Sequence, residues 1–162
     1  MTDNHALSLA SAHARKHSLP LVILFTITPS EYKAHDRSPR RIDFLLRNLR
    51  HIASKSLPSL HIPLFVHSMP FDAKRKTQAR EVIRLANERF EAGSVWGNIS
   101  YEVDELERDL RLIKEGREKG VRVELRHDRL LIQPGGVKKK TGGDGMYNVS
   151  RTTSPAINCG TR

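Results

Sequence analysis

Two short segments of this chain carry side chains whose types and spacing could do chemistry. The first is Tyr32-Lys33-Ala34-His35-Asp36-Arg37-Ser38-Pro39-Arg40-Arg41, which runs into a helix start. The second is Asn98-Ile99-Ser100-Tyr101-Glu102-Val103-Asp104-Glu105, which places three carboxylates at the start of another helix. A helix amino terminus stabilises negative charge through its macrodipole, and Glu102 is read in that structural role. Glu105 has a second reading, as a carboxylate that accepts N–H groups from a heterocycle. His35 reads as a loop residue near a helix start. This is chemistry for holding a molecule. For bond-breaking the signals are missing: no nucleophile elbow and no glycine-rich phosphate loop follows a strand. His13 and His17 lie four apart on one helical face, but no Glu stands between them and no third ligand is near in sequence, so no metal is expected.

These segments need elements to position them. Leu21-Val22-Ile23-Leu24-Phe25-Thr26-Ile27 is a continuous apolar, branched run, which predicts a strand buried on both faces. Ile62-Pro63-Leu64-Phe65-Val66-His67 and Ser94-Val95-Trp96-Gly97-Asn98-Ile99 predict two more strands, with Trp96 as a core residue. Val121, Val123 and Leu125 alternate as a fourth, and Leu130-Leu131-Ile132 as a short fifth. Helical patterns lie between them. Ala6, Leu7, Ala10 and Ala14 form one stripe. Ser38-Pro39 opens a second helix, with Ser38 as cap and Pro39 in the first turn, and Ile42, Leu45, Leu46, Leu49, Ile52 and Ala53 share a face. Ala79, Val82, Ile83, Ala86 and Phe90 make a third stripe. Val103, Leu106, Leu110 and Ile113 make a fourth, closed by Gly120. Strands alternating with helices imply a parallel sheet covered on both faces. In such sheets ligands bind beyond the carboxyl ends of the strands. Those ends are residues 28–37, 67–76, 98–105 and 126–129, and both chemistry-bearing segments fall among them.

The 162 residues suit one domain. The single cysteine, Cys159, rules out an internal disulfide framework and a Cys-rich zinc site. No apolar run approaches the ~20 residues of a membrane span, and no secretory leader is visible, so an intracellular protein is expected. The net charge is +10, with 28 Lys and Arg against 18 Asp and Glu. It is uneven: residues 1–90 hold 15 basic and 7 acidic groups. A solvated basic surface explains that half, and affinity for nucleic-acid phosphates is the sharper reading. From Gly135 periodicity stops, and residues 135–162 are expected to be a flexible basic tail after a domain of residues 1–134.

Four groups of residues, in order, resemble the DNA photolyase/cryptochrome family, nearest to the class I cyclobutane pyrimidine dimer photolyases. They are Asp3-Asn4-x-Ala6-Leu7; His35-Asp36-Arg37-Ser38-Pro39-Arg40; Asn98 with Tyr101-Glu102-Val103-Asp104-Glu105 and Arg108-Asp109; and His127-Asp128 with Pro134-Gly135-x-Val137, Thr141-Gly142 and Met146-Tyr147-x-Val149. The matched span is about residues 3–149. The resemblance implies a Rossmann-like open parallel sheet in an N-terminal α/β domain. It implies an antenna chromophore bound there, a methenyl-tetrahydrofolate or a deazaflavin, that passes excitation to a flavin adenine dinucleotide in a separate helical domain. DNA containing pyrimidine dimers is the substrate of the whole protein, which would be a monomer in the nucleus or mitochondrion of a eukaryote or the cytoplasm of a bacterium. His35, Asp104 and Glu105 are the antenna contacts it implies. Position 104 is Asp where the bacterial folate-binding pattern has Asn, and an ionised carboxylate only accepts hydrogen bonds.

The family's first, central strand precedes the Asp3-Asn4 segment, and beyond Ser150 the chain leaves the family pattern. A truncated domain without that strand is therefore expected, marginal in stability and not catalytic alone. The alternative reading is a basic α/β module that binds a nucleotide or other small ligand without photochemistry.

Overall fold

A computed structural model of the chain describes residues 4–71 and 75–128, with the backbone alone at 75 and 76. Helix α1 (His5–His17) begins where the Asn4 side chain accepts the Leu7 N–H at 2.9 Å, and it ends at Ser18 in a left-handed conformation. Strand β1 (Ile23–Ile27) follows, then α2 (Pro29–Ala34) and α3 (Pro39–His51). Helix α3 starts as expected, with the Ser38 hydroxyl accepting the Arg41 N–H and Pro39 in the first turn. It continues through a π-helical turn (Ile52–Ser56) to a short 3-10 turn (Pro58–Leu60) and β2 (Leu64–Ser68). Helix α4 (Arg75–Arg84) runs through a second π-helical turn (Leu85–Arg89) to β3 (Ser94–Asn98). Helix α5 (Val103–Lys119) and β4 (Arg122–Arg126) complete the described chain. No described helix is long and apolar enough to cross a membrane.

The α/β alternation and the parallel pairing agree with the sequence. The strands form two parallel pairs. β1 lies beside β2 with Ile23 opposite Leu64 and Ile27 opposite Ser68. β3 lies beside β4 with Ser94 opposite Arg122 and Asn98 opposite Arg126. Strand pleating sends alternate β3 side chains to opposite faces. Val95 joins the core built by Ile83 and Ala86 of the α4 segment, Val121, Leu112 and Val123. Trp96 points the other way, toward α1, with the His13 ring 5.6 Å from its own. So the β3–β4 pair carries helices on both faces. The expected fifth strand and the tail from residue 135 lie outside the described residues.

Two expectations about burial change. β1 is half-buried at all five positions instead of buried on both faces. It hydrogen-bonds one neighbouring strand, and the core cluster of Ile83, Ala86 and Val121 lies elsewhere, around α4 and β4. On α5, Val103, Leu106 and Leu110 are exposed, and the buried positions are Asp109 and Gly116. Gly116 decides this face. A Cβ there would stand 2.5 Å from the Val123 side chain and 2.8 Å from the Val121 carbonyl oxygen, so only glycine lets α5 lie this close to β4. Gly120, at φ +72°, then turns the chain into β4.

Between β2 and α4, His67 Nε2 lies 3.2 Å from Glu81 Oε1. Arg84 also grips Glu81, at 2.6 Å, and reaches Glu88 at 3.0 Å. The Arg84 hydrogen bond is the main reason the Glu81 carboxyl sits below its usual range.

At the carboxyl end of β3 the Asn98 side chain joins three segments. Its Oδ1 accepts the Ala6 N–H at 3.0 Å, and its Nδ2 donates to Asn4 Oδ1 at 3.2 Å and Asp128 Oδ2 at 3.1 Å.

This packing sets the expected response to four substitutions. Gly116→Ala should lower stability by about 1–3 kcal/mol in urea denaturation, because overpacking outweighs the better helix propensity of alanine. Gly93→Ala, with no atom within 4 Å of the added Cβ, should stay near neutral. Asn98→Ala should cost about 1–3 kcal/mol by leaving α1 and Asp128 without their shared partner. Glu81 has a lowered folded pKa, so its contribution is present above the usual carboxyl pKa of 4.5 and is lost as pH falls through the folded value. Wild type should therefore lose thermal stability more steeply than Glu81→Gln on acidification below that range, and parallel curves would refute the link.

Candidate functional site

The first chemistry-bearing segment begins as a helix, where the sequence suggested only a loop. Pro29 fills the first turn of α2, and the Glu31 and Tyr32 N–H groups both donate to the Thr28 carbonyl at 3.1 Å. The Thr28 hydroxyl donates to Glu31 Oε2 at 3.1 Å. The readable signal was Thr28-Pro29-x-Glu31, a helix-start pattern with proline at the first position and an acidic residue at the third. Helix α2 ends at His35, whose N–H donates to the Glu31 carbonyl at 2.9 Å. Asp36 then adopts a left-handed backbone, φ 46°, which short polar side chains tolerate best after glycine. The turn leaves His35 exposed, beyond the carboxyl end of β1.

The second segment is held more firmly. Asp109 is buried, 4% exposed, yet it lies on a solvated helix rich in charge. Its carboxylate accepts the Ser100 N–H at 3.1 Å and is held by Arg108 at 2.9 Å. This bond fixes the turn between β3 and α5. The Leu106 N–H donates to the Glu102 carbonyl at 2.8 Å as the helix begins, and the Glu102 side chain makes no capping bond. Asp104 and Glu105 therefore stand in the first turn with the helix dipole behind them. Asp104 is exposed. Glu105 is half-buried, and its carboxylate has no hydrogen bond or ion pair with any described residue.

Tyr101 and His127 flank this turn. Their rings stack at 5.9 Å and 17°, and the Tyr101 hydroxyl hydrogen-bonds His127 Nδ1. His5 closes the same corner, with its N–H donating to Asp128 Oδ1 at 2.9 Å and its Nδ1 3.0 Å from the His127 carbonyl. Tyr101, His127, Asp128 and Asn98 all belong to the motifs noted in the sequence. Their mutual contacts were not legible there, because the partners lie 26 to 123 residues apart.

The structure thus places all three expected residues beyond carboxyl ends of strands, and it brings Asp104 and Glu105 together on one turn. No hydrogen bond or ion pair joins His35 to either of them. A cavity of about 860 Å³ lies elsewhere, along α1 and the segment before β2. Asn4, His5, His127 and Asp128 line it, with Ser8, Ser11 and Arg15, and none of the three expected residues does. The His13 and His17 rings lie 4.5 Å apart, tilted by 45°. The described residues contain no group of three or more side chains able to hold a metal ion.

Comparison with known proteins supports the same parts of the chain. The sequence profile of the DNA photolyase family matches residues 1–155. A deoxyribodipyrimidine photo-lyase of Neurospora crassa is 34% identical over 146 residues, covering 87% of this chain and 23% of that protein. One from Salmonella typhimurium is 30% identical over 150 residues, covering 92% of this chain and 29% of that protein. A mitochondrial deoxyribodipyrimidine photo-lyase of Saccharomyces cerevisiae is 26% identical over 121 residues, 71% of this chain and 21% of that protein. The chain thus spans about a quarter of the length of the relatives it matches. With parallel strands, both strand-end motifs and the Asn98 junction in place, this chain belongs to the DNA photolyase family and corresponds to its N-terminal α/β domain.

Proposed function

We propose that this chain is the antenna-chromophore-binding α/β domain of a longer protein that repairs pyrimidine dimers in DNA with light. The observation that carries the reading is Glu105. It is a half-buried carboxylate at a helix amino terminus, beyond the carboxyl end of a parallel strand, with no donor of its own among the described residues. A carboxylate so placed is an acceptor awaiting N–H groups. The folded pterin edge of a methenyl-tetrahydrofolate offers a ring N–H and an amino group side by side, and the donor set therefore fits. When bound, such a group absorbs near-ultraviolet to violet light and passes the excitation on.

The chain's own residues do three things in this reading. Glu105 accepts the heterocycle's N–H groups and fixes its orientation. Asp104, beside it, adds a second acceptor. His35, at the end of α2, contributes a polar contact from the β1 side. Asp109 acts through Glu105: by holding the Ser100 N–H it sets where the first turn of α5 points. A deazaflavin is the other antenna to test. Flavin binding, dimer recognition and electron transfer belong to the longer protein in this proposal, and the nucleus, mitochondrion or bacterial cytoplasm is its setting.

The cavity along α1 favours a second reading, a nucleotide or other small anionic ligand held by Arg15 and the Ser8 and Ser11 hydroxyls. Titration of the purified chain separates the two. Methenyl-tetrahydrofolate should bind with a shifted near-ultraviolet band, and Glu105→Ala should weaken it about 10- to 150-fold, the loss of a charge-assisted hydrogen bond. His35→Ala should weaken it less. Asp104→Asn should tighten it, since an amide adds a donor. Equal affinity in wild type and Glu105→Ala would overturn the assignment. A thermal shift with ATP, abolished by Arg15→Ala and absent with folate or deazaflavin, would favour the second reading.

A further inference from the structure

A basic surface with a single acidic residue lies on α3 and the π-helical turn that extends it. Residues 38–56 hold five Arg or Lys side chains and one acidic residue, Asp43. Asp43 pairs with Arg47 at 2.8 Å. Arg40, Arg41, Arg50 and Lys55 have no carboxylate partner among the described residues. Elsewhere several arginines are paired, while Arg15 on α1 and Lys114, Arg117 and Lys119 on α5 also lack a carboxylate partner among the described residues. Arg84 is paired with Glu81 and Glu88, Arg111 with Glu107, and Arg122 and Arg126 with Glu124.

The arrangement is linear. Ile42, Leu45, Leu49 and Ile52 form the inward face, with Leu49 buried and the others half-buried. Arg40, Phe44, Arg47, His51 and Lys55 follow one another four, three, four and four residues apart on the opposite face, and all are exposed. Arg50 stands on its shoulder. At ~1.5 Å of rise per residue the stripe is roughly 22 Å long. Duplex DNA presents one phosphate per about 3.4 Å of axis on each strand, so Arg40, Arg50 and Lys55, spread along that length, can meet several phosphates of one backbone.

We infer that the outer face of α3, from Arg40 to Lys55, is a docking surface for the phosphate backbone of nucleic acid, independent of sequence and of damage. Anionic membrane is the rival polyanion. Phe44 is the one large apolar side chain in the stripe, and Leu46, also exposed, lies off it, too little to enter a bilayer together. The inference deepens the reading that the longer protein acts on DNA, by adding a contact surface outside the candidate antenna site. Its failure leaves the chromophore assignment untouched, because the test uses neither chromophore nor light.

The full chain is titrated in the dark against an undamaged fluorescent duplex of about 20 base pairs, from about 50 to 200 mM salt. Wild type should bind with a steep salt slope. Arg40→Gln/Arg50→Gln/Lys55→Gln should reduce that slope by about 2.7, or about 0.9 per lost phosphate contact. Arg40→Gln and Lys55→Gln singly should each reduce it by about 0.9, which keeps the test valid if the triple variant loses its circular dichroism signal. Lys114→Gln/Arg117→Gln/Lys119→Gln on α5 removes the same charge and should leave the slope unchanged. Equal loss in both triple variants would reduce the effect to net charge and overturn the site. Absent duplex binding would overturn it too, as would a stripe-dependent preference for phosphatidylserine vesicles over duplex.

Discussion

One amide side chain organises the edge of this domain beyond the carboxyl end of β3. Asn98 ends β3, and its oxygen and nitrogen between them hold the start of α1 and the chain leaving β4. A carboxylate could not replace it, since the contacts require a donor and an acceptor together. Through Asn98 the first described residue, the middle of the chain and the end of the described region meet at one point. α1 is then laid along β3, its buried Ala6, Ala10 and Ala14 allowing close approach while the His13 ring comes within 5.6 Å of Trp96.

The opposite face of the same strand pair depends on a different restriction. Gly116 has no side chain, so α5 can settle against Val121 and Val123. That settles its rotation about its own axis and turns Val103, Leu106 and Leu110 outward. Asp109 is carried inward by the same rotation and reaches the Ser100 N–H. The packing of a helix and the placement of a carboxylate pair are thus one event. Asp109 lies seven residues before Gly116, on the same face of α5, and four after Glu105, and it reaches the Ser100 N–H because that face is inward. The alternative rotation, with the apolar stripe inside, would have released the turn.

Charge is distributed with the same division of labour. On α4, α5 and β4 most arginines are matched by nearby carboxylates and serve the fold. On α3 Arg47 is matched by Asp43, while Arg40, Arg41 and Arg50 are left open among the described residues. Exposed ion pairs add little stability in any case, commonly less than about 1 kcal/mol. The contrast therefore bears on what each surface can meet rather than on how firmly it is held.

Much was legible in the sequence. Ser38-Pro39 marked the start of α3, the branched runs marked four strands within two residues, and Gly120 marked the end of α5, because caps and hydrophobic period are local. The parallel α/β class followed from alternation alone, and the strand-end motifs identified the family. Other features were decided only by tertiary structure. α5 turns on a clash between a Cβ and β4, so its apolar period misreported which face is buried. β1 has the composition of a doubly covered strand, and its actual burial depends on how many neighbours it pairs with. His35 and the Asp104-Glu105 pair share a sheet edge by sequence, while the distance between them is set by how the strands assemble. The Asn98 junction joins residues up to 94 positions apart, and no local pattern encodes such a bond. Local propensity determines which elements exist, and contacts between distant residues determine which faces they present.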